Sequence, residues 1–220
     1  PSPEIQTARN KDLLVSRPTK NSRASGTSDA RTIGLCMIVK NEASVICRCL
    51  QSALPLVDYI LVVDTGSTDG TQQLIHDFLR EHRIDGAVLE EPWRDFAYNR
   101  SYSLARLREV QHIDYAFIID ADDRIELEPG FDAHTFKKSL DRDFYDIPIR
   151  HRTITHHRPQ LLSNRRPFYF KGVLHEYVEH PPAALTRAIS EGLVIHASTD
   201  GARSQDKHKY EKDAATLETA

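Results

Sequence analysis

The first part of the chain alternates between two hydrophobic patterns, one typical of buried strands and one typical of helices. Apolar runs of four to seven residues have the length of strands buried on both faces, and they lie at 33–39, 59–63, 86–89 and 115–119. Helices are predicted between these runs, within 45–54, 74–79 and 95–110. This alternation predicts an α/β protein with an open, mostly parallel central sheet flanked by helices.

The pattern changes after about residue 140. Short strands are predicted near 144–149, 167–170, 173–179 and 193–197, as a smaller region beside the main sheet, and the loops between them hold most of the histidines. Residues 1–30 are polar and predict a tail or linker, because they cannot bury enough apolar surface to offset their ordering. The sequence therefore predicts one domain over 31–200, followed over 201–220 by a polar helix that breaks off abruptly.

Composition and charge exclude several classes of protein. The 29 basic and 32 acidic side chains give a formal net charge of -3, without the basic excess of a nucleic-acid binder. No apolar run reaches the length of a membrane span, so no integral membrane segment is expected. The three cysteines are too few for a disulfide framework and form no Cys-x-x-Cys pair. We therefore expect a cytoplasmic protein from a reducing compartment.

Carboxylates follow two of the predicted parallel strands. Asp64 ends the second apolar run and Asp120 follows the fourth, and ligands of such sheets bind outside the carboxyl ends of the strands. The alternation of side chains along a strand points Asp120 and Asp122 the same way, so that they can share a hard cation. The alternative is an acidic, solvated turn.

Other motifs are partial matches to known sites. Asp64-Thr65-Gly66-Ser67 is also the aspartic-protease motif, but it occurs once and is flanked by helical patterns, whereas those enzymes are all-β and need two such aspartates. His175 and His180 are five residues apart, one too many for the zinc-protease motif. No glycine-rich dinucleotide or phosphate-loop motif is present. The run 151–158 (HRTITHHR) is either a wall for a phosphorylated or acidic acceptor or a solvated hairpin.

Five segments occur in the order seen in one enzyme family: IGLCMIVKNE at 33–42, VVDTGSTDGT at 62–71, DFAYNRSYSLA at 95–105, FIIDADD at 117–123 and FKGVLHEYV at 170–178. In these segments the chain resembles family 2 glycosyltransferases, and within them the bacterial branch that often carries tetratricopeptide repeats. The resemblance covers residues 31 to 197. It implies a GT-A fold, which is Rossmann-like, a nucleotide-diphosphate sugar donor with UDP as the expected nucleotide, a Mn²⁺ or Mg²⁺ ion, and inversion at the transferred carbon.

The resemblance also implies roles for individual residues. The donor-binding residues would be Val39, Asn41, Glu42, Asp64, Arg100, Asp120 and Ala121. The metal would be held by Asp122 and Asp120, with His175 or His196 completing its shell or touching the diphosphate. Glu176 would be the catalytic base that accepts the proton of the acceptor. Lys40 stands where many members of the family have an aromatic residue or proline, which leaves the stacking of the base open.

Two other functions remain as alternatives. A catalytically silent module that binds nucleotide sugars would keep the same motifs and act as an interaction domain. A nucleotidyltransferase uses a similar sheet, but its glycine-rich, arginine-bearing loop after the first strand is absent. The sequence does not identify the acceptor, which could be a glycan, a lipid-linked sugar or a peptide, because a fold analogy gives the reaction class and not the substrate.

Overall fold

The computed structural model describes residues 30–218. The tail expected over 1–30 therefore lies outside the described residues except for Ala30, and the proposed domain boundaries stay predictions. The parallel half of the fold confirms the alternation of strands and helices. Its elements are β1 (Ile33–Val39), α1 (Ile46–Ala53), β2 (Tyr59–Asp64), α2 (Thr71–His82), β3 (Asp85–Glu90), α3 (Phe96–Arg108) and β4 (Tyr115–Ile118).

The central strands are apolar throughout because helices cover both faces of the sheet. In β1, Leu35 and Met37 pack with α1 and α2, whereas Cys36 packs with Leu104 and Leu107 of α3. Each of these leucines stabilises the fold by roughly 1.5–3 kcal/mol when fully buried. Together the two layers fix the strand order β3-β2-β1-β4, with all three pairings parallel.

Helix α3 approaches the sheet closely, and a glycine permits this. A Cβ atom on Gly34 of β1 would lie only 2.9 Å from Cδ1 of Leu107. That distance is shorter than a carbon–carbon contact of 3.5–4.0 Å. The close approach sets the position of α3, which carries Arg100 at its cavity-facing end.

The second half of the chain extends the same sheet. Strands β6 (Phe144–His151) and β7 (Ile154–Ser163) form a hairpin, and β7 pairs antiparallel with β4. Beyond the hairpin the order continues with β11 (Leu193–His196) and β5 (Arg124–Leu127), while β10 (Arg187–Ile189) also pairs with β6. The strands expected near 144–149 and 193–197 therefore join the main sheet. Within residues 30–218, only β8 (Tyr169–Lys171) and β9 (Tyr177–Glu179) form a separate two-stranded sheet.

The remaining helices are short. Helix α4 (Ala133–Ser139) follows β5, and the expected C-terminal helix is interrupted, with α5 (Ala202–Gln205) separated from α6 (Lys209–Glu218) by a turn. No helix in the part of the chain that the structure describes combines the length and the apolar character needed to cross a membrane.

Candidate functional site

A cavity of about 780 Å³ opens at the carboxyl ends of the parallel strands. Four parts of the chain supply most of its walls: the loop after β1, the acidic turn after β4, the β6–β7 hairpin and the segment after β11. Of the residues predicted to bind donor or metal, those that line it are Val39, Asn41, Glu42, Arg100, Asp120, Ala121 and Asp122.

The loop after β1 is held in place by the segment after β2. The hydroxyl of Ser67 accepts a hydrogen bond from the Asn41 N–H at 2.8 Å, and the hydroxyl of Thr71 accepts one from the Glu42 N–H at 2.8 Å. Asn41 has a left-handed backbone with φ 58°, and its Oδ1 accepts from Thr68 N–H at 2.8 Å. Asparagine tolerates this conformation better than most residues. The polar residues that follow Asp64 thus fix the cavity loop in one shape.

Asp64 has one satisfied and one unsatisfied carboxylate oxygen. It is only 1% exposed, and Oδ1 accepts from the N–H groups of Gly66 and Ser67, both at 2.7 Å. Oδ2 is buried and has no hydrogen-bond partner among the described residues. A buried oxygen without a partner costs about 1–3 kcal/mol, or more when charged. Asp64 itself is not among the residues that line the cavity, although the next residue, Thr65, is.

The acidic residues after β4 form a turn. Strand β4 ends at Ile118, and Asp123 N–H donates to the carbonyl of Asp120 at 3.1 Å. The expectation that strand alternation aligns Asp120 and Asp122 is therefore wrong, because the chain leaves the sheet too early. The turn still places both carboxylates in the cavity wall. Burial, and after it the charge of Asp120, raises the pKa of Asp122.

The segment after β11 covers this acidic group with backbone N–H donors. Ser198 N–H donates to Asp123 Oδ1 at 3.0 Å, and Ala202 N–H donates to Glu42 Oε2 at 3.2 Å. Burial is the largest cause that raises the pKa of Asp123, and likewise that of Glu42, to about 7. Sequence reasoning missed the role of this segment, because a backbone N–H can come from almost any residue.

One glycine in that segment approaches a proposed metal ligand. A Cβ atom on Gly201 would lie 2.8 Å from Oδ2 of Asp122, so any larger residue would displace one of the two. Gly201 N–H also donates to this oxygen, at 3.3 Å. Oδ2 is therefore fixed from the side of the segment after β11.

The carboxylate oxygens of the acidic turn suit a hard divalent cation that is also coordinated by a bound molecule. Asp120 and Asp122 offer carboxylate oxygens, and no group of three or more His, Cys, Asp and Glu side chains within residues 30–218 could hold a metal ion alone. Mg²⁺ in particular is usually held by one or two carboxylates together with substrate phosphates. The two carboxylates therefore suit a cation whose remaining ligands come from a bound molecule or water.

The two histidines proposed for the metal shell are not part of the cavity wall. His196 Nε2 lies 2.6 Å from Glu126 Oε2, without the geometry of a hydrogen bond. His175 is exposed and has a left-handed backbone, with φ 56°. Neither residue lines the cavity beside Asp122, so the structure does not bring them to the acidic turn.

Arg100 joins two of the predicted site residues. Its Nη2 lies 2.6 Å from Asp120 Oδ1, and its Nε lies 2.8 Å from Glu176 Oε1. The side chain of Arg100 is only 11% exposed. Burial works against its charge, but the two carboxylates outweigh burial and hold the pKa of Arg100 above its usual value. The proposed base is thereby tied to the acidic turn, although Glu176 is not among the residues that line the cavity.

The raised pKa of Glu42 predicts a specific pH dependence of stability. With a folded pKa of about 7 against 4.5 for the free group, the folded state binds the proton more tightly, so ionisation costs stability as pH rises from about 4.5 to above 7. Glu42→Gln should therefore raise the Tm at pH 8 by about 2–4 °C, an effect near 1 kcal/mol after discounting for partial exposure. At pH 5 the substitution should change the Tm much less.

Scanning calorimetry of the metal-free protein at pH 5 and pH 8 measures this difference. Glu218→Gln is the control, because Glu218 is exposed at the end of α6. An equal change in Tm at the two pH values would contradict a raised pKa of Glu42 in the folded protein.

The acidic turn and most of the residues that line the cavity fall within a region that matches a known family. A family model described as glycosyl transferase family 2 matches residues 35–174. A TPR repeat-containing protein of Synechococcus elongatus is 28% identical over 201 residues, which are 85% of this chain and 47% of that protein. A lipopolysaccharide core biosynthesis glycosyltransferase of Rhizobium meliloti is 32% identical over 94 residues, 41% of this chain and 31% of that protein. The chain thus spans half or less of the length of these two relatives.

Solved structures share the fold at low sequence identity. S. aureus TarS (residues 1–349) superposes with a TM-score of 0.52 at 16% identity, over 72% of this chain and 60% of that one. The same protein in complex with UDP-GlcNAc gives a TM-score of 0.51 at 15% identity, over 73% of this chain and 59% of that one.

Proposed function

The chain belongs to glycosyl transferase family 2, and we propose that it moves a sugar from a nucleotide-diphosphate donor to an acceptor, with inversion at the transferred carbon and with Mn²⁺ or Mg²⁺ as cofactor. The observation that carries this proposal is the placement of Asp120 and Asp122 in one cavity with the loop Val39–Glu42. The cavity volume of about 780 Å³ lies within the range of ordinary small-molecule sites, roughly 300–1,000 Å³.

The nucleotide half of the donor is assigned to the ends of β1 and β2. Val39, Asn41 and Glu42 would lie beside the nucleoside, and the unpartnered Oδ2 of Asp64 would accept a hydrogen bond from a ribose hydroxyl or a base N–H. UDP is the first nucleotide to test, because the similarly folded S. aureus TarS is solved with UDP-GlcNAc.

The diphosphate half is assigned to the acidic turn. Asp122 and Asp120 would hold the cation, with Ala121 between them against the donor. When bound, the cation neutralises charge that develops on the leaving diphosphate. Arg100 orients Asp120 through its 2.6 Å contact and adds positive charge nearby. His175 and His196 are not given a role in this arrangement, because neither is among the residues that line the cavity.

Removing the charge of Asp64 should weaken nucleotide binding without unfolding the protein. We expect Asp64→Asn to reduce UDP affinity by about 10- to 100-fold, the worth of a hydrogen bond to a charged group. The amide oxygen can still accept from Gly66 and Ser67, so the Tm should change little. Calorimetric titration with UDP measures the affinity.

Asp58→Asn is the matched control for Asp64, because Asp58 precedes the opposite end of β2 and is paired with Lys137. Equal UDP affinities of Asp64→Asn and the wild type would remove Asp64 from the donor site.

Glu176 is proposed as the base that accepts the proton of the acceptor hydroxyl. Glu176→Gln should lower turnover by about 10²- to 10⁴-fold, the usual worth of general base catalysis. Donor affinity should stay the same, because the Gln oxygen can still accept from Arg100. Glu179→Gln, on strand β9 close by, is the control. Unchanged turnover in Glu176→Gln would place the base elsewhere.

An assay of nucleotide release tests the whole proposal. The donors are UDP-glucose, UDP-galactose and UDP-GlcNAc, and GDP-mannose tests whether the site accepts another base. We expect turnover of at least one donor in Mn²⁺ and none in EDTA. Binding of a donor with no turnover in any acceptor mixture would favour the silent nucleotide-sugar-binding module instead.

A further inference from the structure

The β6–β7 hairpin presents different side chains to two separate cavities. Because side chains alternate along a strand, one face of the hairpin lines the main cavity and the other lines a second cavity of about 520 Å³. On the main-cavity face the side chains are Ile149, His151, His156, Arg158 and Gln160. On the opposite face they are Pro148, Arg150, Thr155 and His157. The polar run 151–158 is therefore a two-sided hairpin with a cavity on each side.

The strand register places the main-cavity face beside the acidic turn. Phe117 of β4 pairs with Leu161 of β7, and the two strands are antiparallel. Residues 154–160 therefore run past the end of β4, where Asp120 begins the turn. In the order β2-β1-β4-β7, this face lies across β4 from the strands assigned to the nucleoside. An acceptor, which must contact the transferred sugar, would therefore approach the cavity from the side of this face.

Two groups on this face, Arg158 and His156, lack a side-chain partner among the described residues. Arg158 has no ion pair with any residue that the structure describes, whereas Arg100, Arg166 and Arg187 each hold a carboxylate. The Nε2 atom of His156 is buried and has no hydrogen-bond partner within residues 30–218. Burial lowers the pKa of His156, and the charges of Arg158, His157 and His151 lower it further. Arg158 is thus an exposed cation and His156 a neutral group with a free ring nitrogen, on the wall of a cavity that the acidic turn also lines.

We propose that His151, His156, Arg158 and Gln160 bind an anionic group of the acceptor, a phosphate or a carboxylate. The arginine offers a planar pair of donors that matches either group, and the histidine and glutamine add neutral donors beside it. This inference rests on the proposed function, and it narrows the acceptor to negatively charged molecules. It does not assign the cation or the diphosphate to this face.

Calorimetric titration of the UDP-saturated protein in Mg²⁺ tests the inference. Three probes share a pyranose ring: glucose 6-phosphate, glucuronic acid and neutral glucose. We expect at least one of the anionic probes to bind about tenfold or more tightly than glucose, one factor of ten being about 1.4 kcal/mol. Arg158→Gln should remove this preference and leave the affinity for UDP unchanged. Arg150→Gln, the same change on the opposite face of the hairpin, should leave the preference intact.

Three results would overturn the inference. Equal affinity for all three probes would mean that no anion site exists on this face. Competition between UDP and the sugar phosphate, or loss of UDP affinity in Arg158→Gln, would assign these residues to the donor diphosphate. Tighter binding of UDP-glucuronic acid than of UDP-glucose, dependent on Arg158, would assign the anion to the transferred sugar.

The proposed function and this inference fail separately. If UDP does not bind at all, the donor site is wrong, and the same probes are titrated into the nucleotide-free protein. A preference for the anionic probes that depends on Arg158 would still support an anion site on this face of the hairpin. Absence of that preference would refute the site.

Discussion

Asp122→Asn is expected to lower the rate of sugar transfer by at least about 10²- to 10³-fold, as loss of one preorganised electrostatic group does in other enzymes. Asp122 is one of two carboxylates in the turn that would hold the cation, and neither His175 nor His196 lines the cavity to replace it. The fold should persist, because burial and the charge of Asp120 already disfavour ionised Asp122. Initial rates at saturating donor and Mn²⁺ measure the loss.

Asp85→Asn is the control for this substitution, since Asp85 is an exposed residue at the start of β3, at the opposite end of the sheet. A variant Asp122→Asn that keeps its rate and its dependence on Mn²⁺ would show that the turn does not hold the cation.

Arg100→Met is expected to destabilise the protein by about 2–3 kcal/mol, less than the 3–5 kcal/mol of a fully buried unpaired charge, because the side chain of Asp120 is 51% exposed. Arg100 holds both Asp120 and Glu176, at 2.6 and 2.8 Å, with little exposure to water. Its removal would leave two carboxylates on the same side of α3 with no cation between them. Urea denaturation measures the change in the free energy of unfolding.

Arg106→Met is the matched control, because Arg106 lies on the same helix in an exposed pair with Glu109 and such pairs contribute about 0.3–0.5 kcal/mol. Arg100→Lys keeps the charge without the two-pronged geometry, so its stability should fall between the wild type and Arg100→Met. A loss of less than about 1 kcal/mol in Arg100→Met, well under the cost of an unpaired buried charge, would contradict the structural role of this triad.

The parallel half of the fold was predictable because hydrophobic burial alone dictates it. The runs 33–39 and 59–63 are apolar at every position, and only strands covered on both faces require that. The position of Asp64 at the end of β2 follows from where the second run stops. Strand β7 was not predicted, because its cavity-facing half carries His156 and Arg158, whose polar side chains hide the alternation of a strand.

The fine structure of the site was not predictable for a different reason. Glu42, Asp122 and Asp123 receive hydrogen bonds from the backbone N–H groups of 198–202, and these donors leave no trace in the choice of residue except at Gly201. His196 was proposed from its residue type, but β11 places it opposite Arg124 and next to Glu126. Such contacts depend on long-range strand pairing, which a local sequence pattern does not reveal.

Calorimetric titration of the protein with UDP, first in Mn²⁺ and then in EDTA, decides whether the acidic turn binds the donor through a cation. UDP is expected to bind in Mn²⁺ and to bind about tenfold or more weakly in EDTA, which corresponds to at least 1.4 kcal/mol. Asp122→Asn should remove this difference. Equal affinity in Mn²⁺ and EDTA, or no binding of either UDP or GDP, would contradict a donor site built on the acidic turn.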